Sequence, residues 1–330
     1  MSFWNELKKN LDHPIFSLAP MEDVTDTVFR RVITKCGRPD VFFTEFTNCD
    51  GIQSIGQAKV IERLRYKKIE KPIVAQVWGK TVENYYETAK LVVELGFDGI
   101  DINMGCPVKN VVKNGSCSAL IKNKQLAKEI IEATRAGVNE KIPVSVKTRI
   151  GFSEIEIEEW IGFLLKDCKV EYLTIHGRTV SELTRVPCHF DAFGKISELR
   201  DKINKNALIF GNGDILSYEQ GVDVCKKYNI DGVMIGRGIF QNPWIFNKKI
   251  NIDNIKTKER ISLLKYHVKL FEKEWKDKKD VSVLKKYFKM YINGFPSASD
   301  YRSKLMNVKS YKELYLAIKN IEKEIKKLGI

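Results

Sequence analysis

Short runs of β-branched and apolar residues, each closed by Gly, Pro or a polar residue, recur along the first 240 positions. They are Ile15–Ala19, Val41–Glu45, Ile73–Val77, Gly99–Asn103, Val144–Thr148, Tyr172–His176, Ala207–Gly211 and Gly232–Ile235. Each is a predicted strand. Their starts lie 26, 32, 26, 45, 28, 35 and 25 residues apart, close to the ~30 residues of one strand–helix unit. Helical periodicity fills the intervals. It runs over Asn84–Leu95, and over Leu126–Ala136, where Ile130, Ile131 and Ala133–Thr134 fall near one stripe. A third helix is predicted after Ser217, whose hydroxyl can cap while Gln220 reaches back. Eight such units predict an α/β fold, a (β/α)8 TIM barrel of the usual ~250 residues. Residues 1–250 are thus expected to form the barrel, and 251–330 a smaller all-helical domain.

The faces of these strands differ in polarity. Side chains alternate along a strand, so Val144 and Val146 share one face of the fifth strand, and Ser145, Lys147 and Arg149 the other. On the sixth, Leu173 and Ile175 oppose Thr174 and His176; on the fourth, Ile100 and Ile102 oppose Asp101 and Asn103. On the third, Gln76 lies opposite Ile73 and Ala75. Apolar faces pack outward against helices, so the polar set points inward. Gln76, Asn103, Lys147 and His176 are therefore expected to converge at the C-terminal mouth, where barrel enzymes keep their active sites.

Two further segments carry candidate chemistry. Gly211-Asn212-Gly213-Asp214 follows the seventh strand and Gly236-Arg237-Gly238 the eighth. Those loops are common phosphate sites in barrels, since small residues leave backbone N–H groups accessible. Arg237 adds a fork suited to phosphate. The longest interval, between the fourth and fifth strands, begins with Met104-Gly105-Cys106-Pro107 and continues through Gly115-Ser116-Cys117. A long Gly-containing loop on this face suggests a lid or an active-site arm. Cys106 is placed to overhang the mouth, and a thiol with a pKa near ~8.5 is mostly protonated at neutral pH, hence a candidate general acid. Cys36, Cys168 and Cys225 read as core; Cys117 is left undecided.

Composition adds a partner. The 330 residues are 43% hydrophobic and 30% charged, with a net charge of +14, an ordinary globular balance. Residues 255–330 hold 20 Lys and Arg against 9 Asp and Glu, a net of +11. Such clustering fits either a solvated helical surface or a docking face for a polyanion. Seven scattered cysteines without a Cys-x-x-Cys pair point to reduced thiols and a cytoplasmic location. Four histidines make a His-based metal site unexpected, and no apolar run reaches membrane length.

Taken together these segments resemble the flavin-dependent tRNA-dihydrouridine synthases. The resemblance is carried by Ala19-Pro20-Met21, Val24-Thr25-Asp26, Phe29-Arg30, Gln76-Val77 and Asp101-Ile102-Asn103-Met104-Gly105-Cys106-Pro107. It continues through Lys147-Thr148-Arg149, His176-Gly177-Arg178-Thr179, Gly211-Asn212-Gly213-Asp214-Ile215 and Gly236-Arg237-Gly238, ending at Tyr291-Ile292-Asn293-Gly294-Phe295-Pro296 with Arg302. The resemblance implies an FMN enzyme, with NADPH or NADH as electron donor, that reduces the C5=C6 bond of particular tRNA uridines. It implies that Pro20, Met21 and Glu22 lie along the flavin and that Gln76, Lys147 and His176 contact it. Asn212, Gly213, Asp214, Gly236 and Arg237 would hold the phosphate. Cys106 would be the proton donor, with Asn103, Arg149 and Arg178 at the base. The basic C-terminal domain would grip tRNA, with no obligate protein partner, metal or membrane.

The sequence departs from that family in two places. Glu22 and Asp23 stand where members usually have Ala-Gly. Thr184, Val186, Cys188 and Phe190 stand where many have Tyr, Gly, Ala and Trp. The rival readings are a dihydroorotate-dehydrogenase-like FMN enzyme acting on a free pyrimidine, a non-catalytic flavin- or tRNA-binding protein, and an aldolase-type barrel using Lys147 as a Schiff base.

Overall fold

The computed structural model describes residues 3–329. The chain groups into two compact units, Met1–Thr27 with Pro39–Gly236, and Val28–Arg38 with Arg237–Ile330.

In the first unit the strands are β1 (Ile15–Leu18), β2 (Phe42–Phe43), β3 (Thr47–Asn48), β4 (Ile73–Trp78), β5 (Gly99–Asn103), β6 (Val144–Arg149), β7 (Tyr172–His176), β8 (Leu208–Asn212) and β9 (Gly232–Ile235). They run in the order β1-β9-β8-β7-β6-β5-β4-β2, every neighbour parallel, and β3 also pairs β4. One bridge between Ser17 and Val41 joins the two ends of that order. This is the expected barrel with one correction: of the second predicted strand, Val41–Glu45, only Phe42–Phe43 (β2) is strand, and a separate β3 follows beyond it at Thr47–Asn48. The cause is Thr44, whose hydroxyl accepts the Gln76 N–H at 3.1 Å in place of a backbone carbonyl. The helix Val82–Glu94 starts two residues before its predicted span and ends one residue short of it, while Lys124–Val138 covers its span and overruns it at both ends. Ser217 caps the helix Tyr218–Tyr228 by accepting from Gln220 N, while Gln220 Oε1 reaches one residue further back, to Leu216 N.

The barrel is filled from below by an aromatic cluster. Trp4, on the N-terminal helix Phe3–Asn10, is 2% exposed and stacks on Tyr172 with ring centroids 3.8 Å apart. Ile15, Phe43, Val74, Leu208, Phe210 and Met234 pack around it. At this end three aspartates, each one or two residues before a strand, accept an N–H from the first or second residue of a strand in the same sheet. Asp40 takes Phe16 N at 2.7 Å, Asp98 takes Ile73 N at 2.8 Å, and Asp231 takes Ile209 N at 2.8 Å. A charged acceptor strengthens such a bond. Asp231 also pairs with the buried Arg200 at 2.9 Å.

The second unit is helical. Its longest helices are Thr257–Trp275 and Tyr311–Leu328. Leu263, Leu264, Val268, Phe271 and Trp275 are buried, and Phe29 stacks on Tyr287 at 5.2 Å. The Tyr291–Pro296 segment has a structural task here: Tyr291 Oη bonds His267 Nδ1 at 2.6 Å, and Arg302 Nη1 donates to Ile292 O at 2.8 Å. Among the described residues, no helix is long and apolar enough to cross a membrane.

The aspartate caps predict unequal losses. Asp231→Ala removes one of the two carboxylates that pair with the buried Arg200, together with the acceptor of Ile209 N, and is expected to destabilise by about 3 kcal/mol. Asp98→Ala, at a more exposed site, is expected to lose about 1–3 kcal/mol. Urea unfolding of the two variants checks the order.

Candidate active site

Strand register sorts the inward polar residues into tiers. Gln76, Asp101 and Ser145 lie side by side on β4, β5 and β6. The next tier towards the mouth holds Asn103, Lys147 and Thr174. Above it stand Arg149, His176 and Asn212. The convergence expected from alternation is thus present, and Asp101 and Ser145 join it.

The lowest tier is a sealed hydrogen-bond network. Gln76 Nε2 donates to Asp101 Oδ2 at 2.7 Å, and Asn103 Nδ2 donates to Gln76 Oε1 at 2.9 Å. Ser145 Oγ donates to Asp101 Oδ1 at 2.6 Å. Burial pushes the Asp101 carboxyl up to about 6, against the two hydrogen bonds and Lys147. Asn103 Oδ1 accepts the N–H groups of Gly105 and Cys106 at 3.0 and 3.1 Å. The Asn103 amide thus fastens the loop that carries the thiol.

Cys106 is the one cysteine among the described residues that is not buried. Hydrogen bonding from the Cys117 thiol draws its pKa down to about 7; the Val108 N–H, Arg149 and Lys147 add to this and burial opposes it. Cys117 itself is buried and its thiol is held well above the ordinary range. Sequence reasoning left Cys117 undecided, and the expected ordinary thiol at Cys106 is replaced by a more acidic one.

Lys147 is half-buried, and its ammonium makes no hydrogen bond or ion pair among the described residues. Burial, and then Arg149, push its pKa down to about 8, so it is still mostly cationic at pH 7. Arg149 is 6% exposed; its Nε donates to Gly105 O at 2.8 Å and its Nη1 to Thr179 O at 3.0 Å. It ties the Cys106 loop to the loop after β7.

Around Asn212–Asp214 the backbone demands small residues. Gly213 has φ +124°, and a Cβ there would meet Cys188 Sγ at 2.8 Å and His176 at 3.0 Å. Asn212 Nδ2 donates to Met234 O at 2.7 Å. Asp214 Oδ2 accepts Arg178 Nη2 and the Cys188 N–H. Pro20 is buried, and Met21 and Glu22 are partly so. Arg63 donates Nε and Nη2 to Glu22 Oε1 at 2.9 and 2.6 Å, so the unusual acid is charge-balanced. Gly236 is the last residue of the first unit, and Arg237 begins the second segment of the second. Among the described residues no cluster of His, Cys, Asp and Glu is arranged to hold a metal.

A family profile described as dihydrouridine synthase (Dus) matches residues 17–328. This chain belongs to the dihydrouridine synthase family. It is 43% identical over 327 residues to the probable tRNA-dihydrouridine synthase of Staphylococcus aureus (strain COL), covering 98% of this chain and 97% of that one. It is 42% identical over 326 residues to the probable tRNA-dihydrouridine synthase 2 of Bacillus subtilis (strain 168), with the same coverage. Among solved structures, a morphinone reductase variant with tetrahydroNAD matches 70% of this chain and 85% of that chain, at 14% identity and a TM-score of 0.49.

The loop after β7, one of the two segments noted above as departing from the expected pattern, is held from within. Arg178 is 3% exposed; its Nε donates to Val186 O at 2.6 Å and its Nη1 sits 3.2 Å from His176 Nε2. Glu182 takes Thr179 N at 2.7 Å and contacts His189 Nε2 at 2.8 Å. Thr184, in the same loop, is exposed. The Arg178 guanidinium is therefore engaged in fixing this loop.

Iodoacetamide is expected to alkylate Cys106 first, at a rate that rises with pH through a midpoint near 7, because the thiolate is the reactive form. Cys117→Ala removes the largest stabiliser of that thiolate, so the midpoint should move upward. Peptide mapping against pH reads both.

Proposed function

We propose that this chain reduces the C5=C6 bond of specific uridines in tRNA to 5,6-dihydrouridine, using FMN and a nicotinamide electron donor. The observation that carries this is the pair of Lys147, an inward ammonium with no partner among the described residues, and Cys106, a non-buried thiol on the loop beside it. A cation at the mouth of a barrel suits the ring of a bound flavin. The small-residue turn at Gly211–Asp214 together with Gly236 suits its phosphate.

A bound flavin supplies the hydride for uracil C6. The chain's own residues supply the rest. Uracil C6 is conjugated to the C4 carbonyl, so hydride addition leaves negative charge towards C5 and O4, and a proton is needed at C5. Cys106 is the donor of that proton. The hydrogen bonds from Gly105 and Cys106 N–H to Asn103 hold its backbone, and the Arg149 bridge to Gly105 O holds the loop. Lys147 supplies positive charge for the anionic species at the ring. Arg149 Nη2, which bonds nothing among the described residues, is available to an oxygen of the base. A uridine reaches such a mouth only by leaving its stack, and the basic segment 255–330, at +11, suits the tRNA backbone.

Cys106→Ala is expected to keep the yellow flavin spectrum and tRNA affinity while turnover falls by about 10²–10⁴. Quantifying dihydrouridine by mass spectrometry after incubation with unmodified tRNA checks this; full turnover in that variant removes Cys106 from the mechanism. Equal turnover on free uridine nucleotide would favour the free-pyrimidine alternative. tRNA affinity should also drop steeply with salt, on the order of 10³-fold between about 50 and 200 mM, as for six or so neutralised phosphates. A filter-binding titration measures it.

A further inference from the structure

We infer that Asp101 is the positioning residue for the Cys106 loop, acting through two amides in series. The proposal rests on the reading of Cys106 as proton donor and assigns a residue that this reading leaves without a task. An ionised carboxylate only accepts hydrogen bonds. The Gln76 group 2.7 Å from Asp101 Oδ2 must therefore be its NH2, which turns Oε1 towards Asn103. Asn103 must in turn present Nδ2 to that oxygen, at 2.9 Å, which leaves Oδ1 for the N–H groups of Gly105 and Cys106. Each amide can be rotated by half a turn without changing shape, so shape alone does not choose between the two senses of the chain. The carboxylate chooses. Reversal would aim the Asn103 NH2 at two backbone donors and release the loop.

The network is closed to water, which makes the choice strict. Gln76, Asp101 and Ser145 are 0% exposed and Asn103 is 6% exposed. Ser145 Oγ occupies the other Asp101 oxygen at 2.6 Å, so the carboxylate is held from both sides. Buried polar groups left unsatisfied are expensive, and a half-satisfied network is the costly case.

The test uses the purified full-length protein and two variants. Asp101→Leu has no acceptor for Gln76. Asp101→Asn can turn its amide oxygen to Gln76 and its NH2 to Ser145 Oγ, which preserves the sense of the chain. Amide hydrogen exchange read on peptides covering Gly105 and Cys106 should accelerate at least tenfold in Asp101→Leu and stay near the parent rate in Asp101→Asn. Turnover on tRNA should fall about 100-fold in Asp101→Leu, as for a reacting group misplaced by ~1 Å, and recover most of the way in Asp101→Asn. Unchanged exchange at those two amides in Asp101→Leu overturns the proposal, whatever happens to turnover. Loosened amides without a loss of turnover would instead count against Cys106 as the donor. Should Asp101→Leu fail to fold, Gln76→Met interrupts the same series one step on. It must loosen the same two amides for the proposal to stand.

Discussion

A barrel interior is closed to water, so every polar side chain turned into it has to find its partner among its neighbours. In this chain, alternation along β4 to β8 turns a whole set of polar groups inward, and the pairing of that set decides what the mouth can do. Asp101, Gln76, Ser145 and Asn103 satisfy one another and fasten a loop. The Lys147 ammonium stands directly above them with no hydrogen bond or ion pair of its own among the described residues. A rigid, satisfied tier beneath a cation free of direct partners is the arrangement that preorganised electrostatics calls for.

The barrel was legible because β-branched runs at near-constant spacing leave few other solutions, and the strand faces followed from alternation alone. What escaped was finer than periodicity. The split between β2 and β3 depends on one Thr44 hydroxyl displacing a carbonyl from the ladder, which no pattern of polarity shows. The aspartates that cap strands at the barrel floor leave a readable trace, since Asp40, Asp98 and Asp231 each stand immediately before a predicted strand. Residues 28–38, which chain order places in the barrel, group with the helical unit, and chain order alone does not show that.

At the site, the inward residues named from the strands are where they were expected, yet their tasks divide. Gln76 and Asn103 have their amides engaged by protein groups, and Arg178 is engaged by Asp214, His176 and Val186. Asp101 was visible two positions before Asn103 on the same strand face, and Cys117 was visible as an undecided thiol; geometry, not residue type, connects each to Cys106. Glu22, which stands out as an added acid in sequence, is neutralised by Arg63 from a neighbouring 3-10 turn, a pairing between positions too far apart for local spacing to reveal.

The pairing of Ile15 with Gly232 joins the first strand to the last. A nascent chain therefore cannot complete the cylinder until nearly the whole first unit has been synthesised. At about 5–20 residues per second, β1 waits roughly 10–45 s with an open edge. During that interval the exposed strand rim is open to mispairing with other chains, so the yield of this protein should depend on translation speed and on holding chaperones more than its final stability suggests.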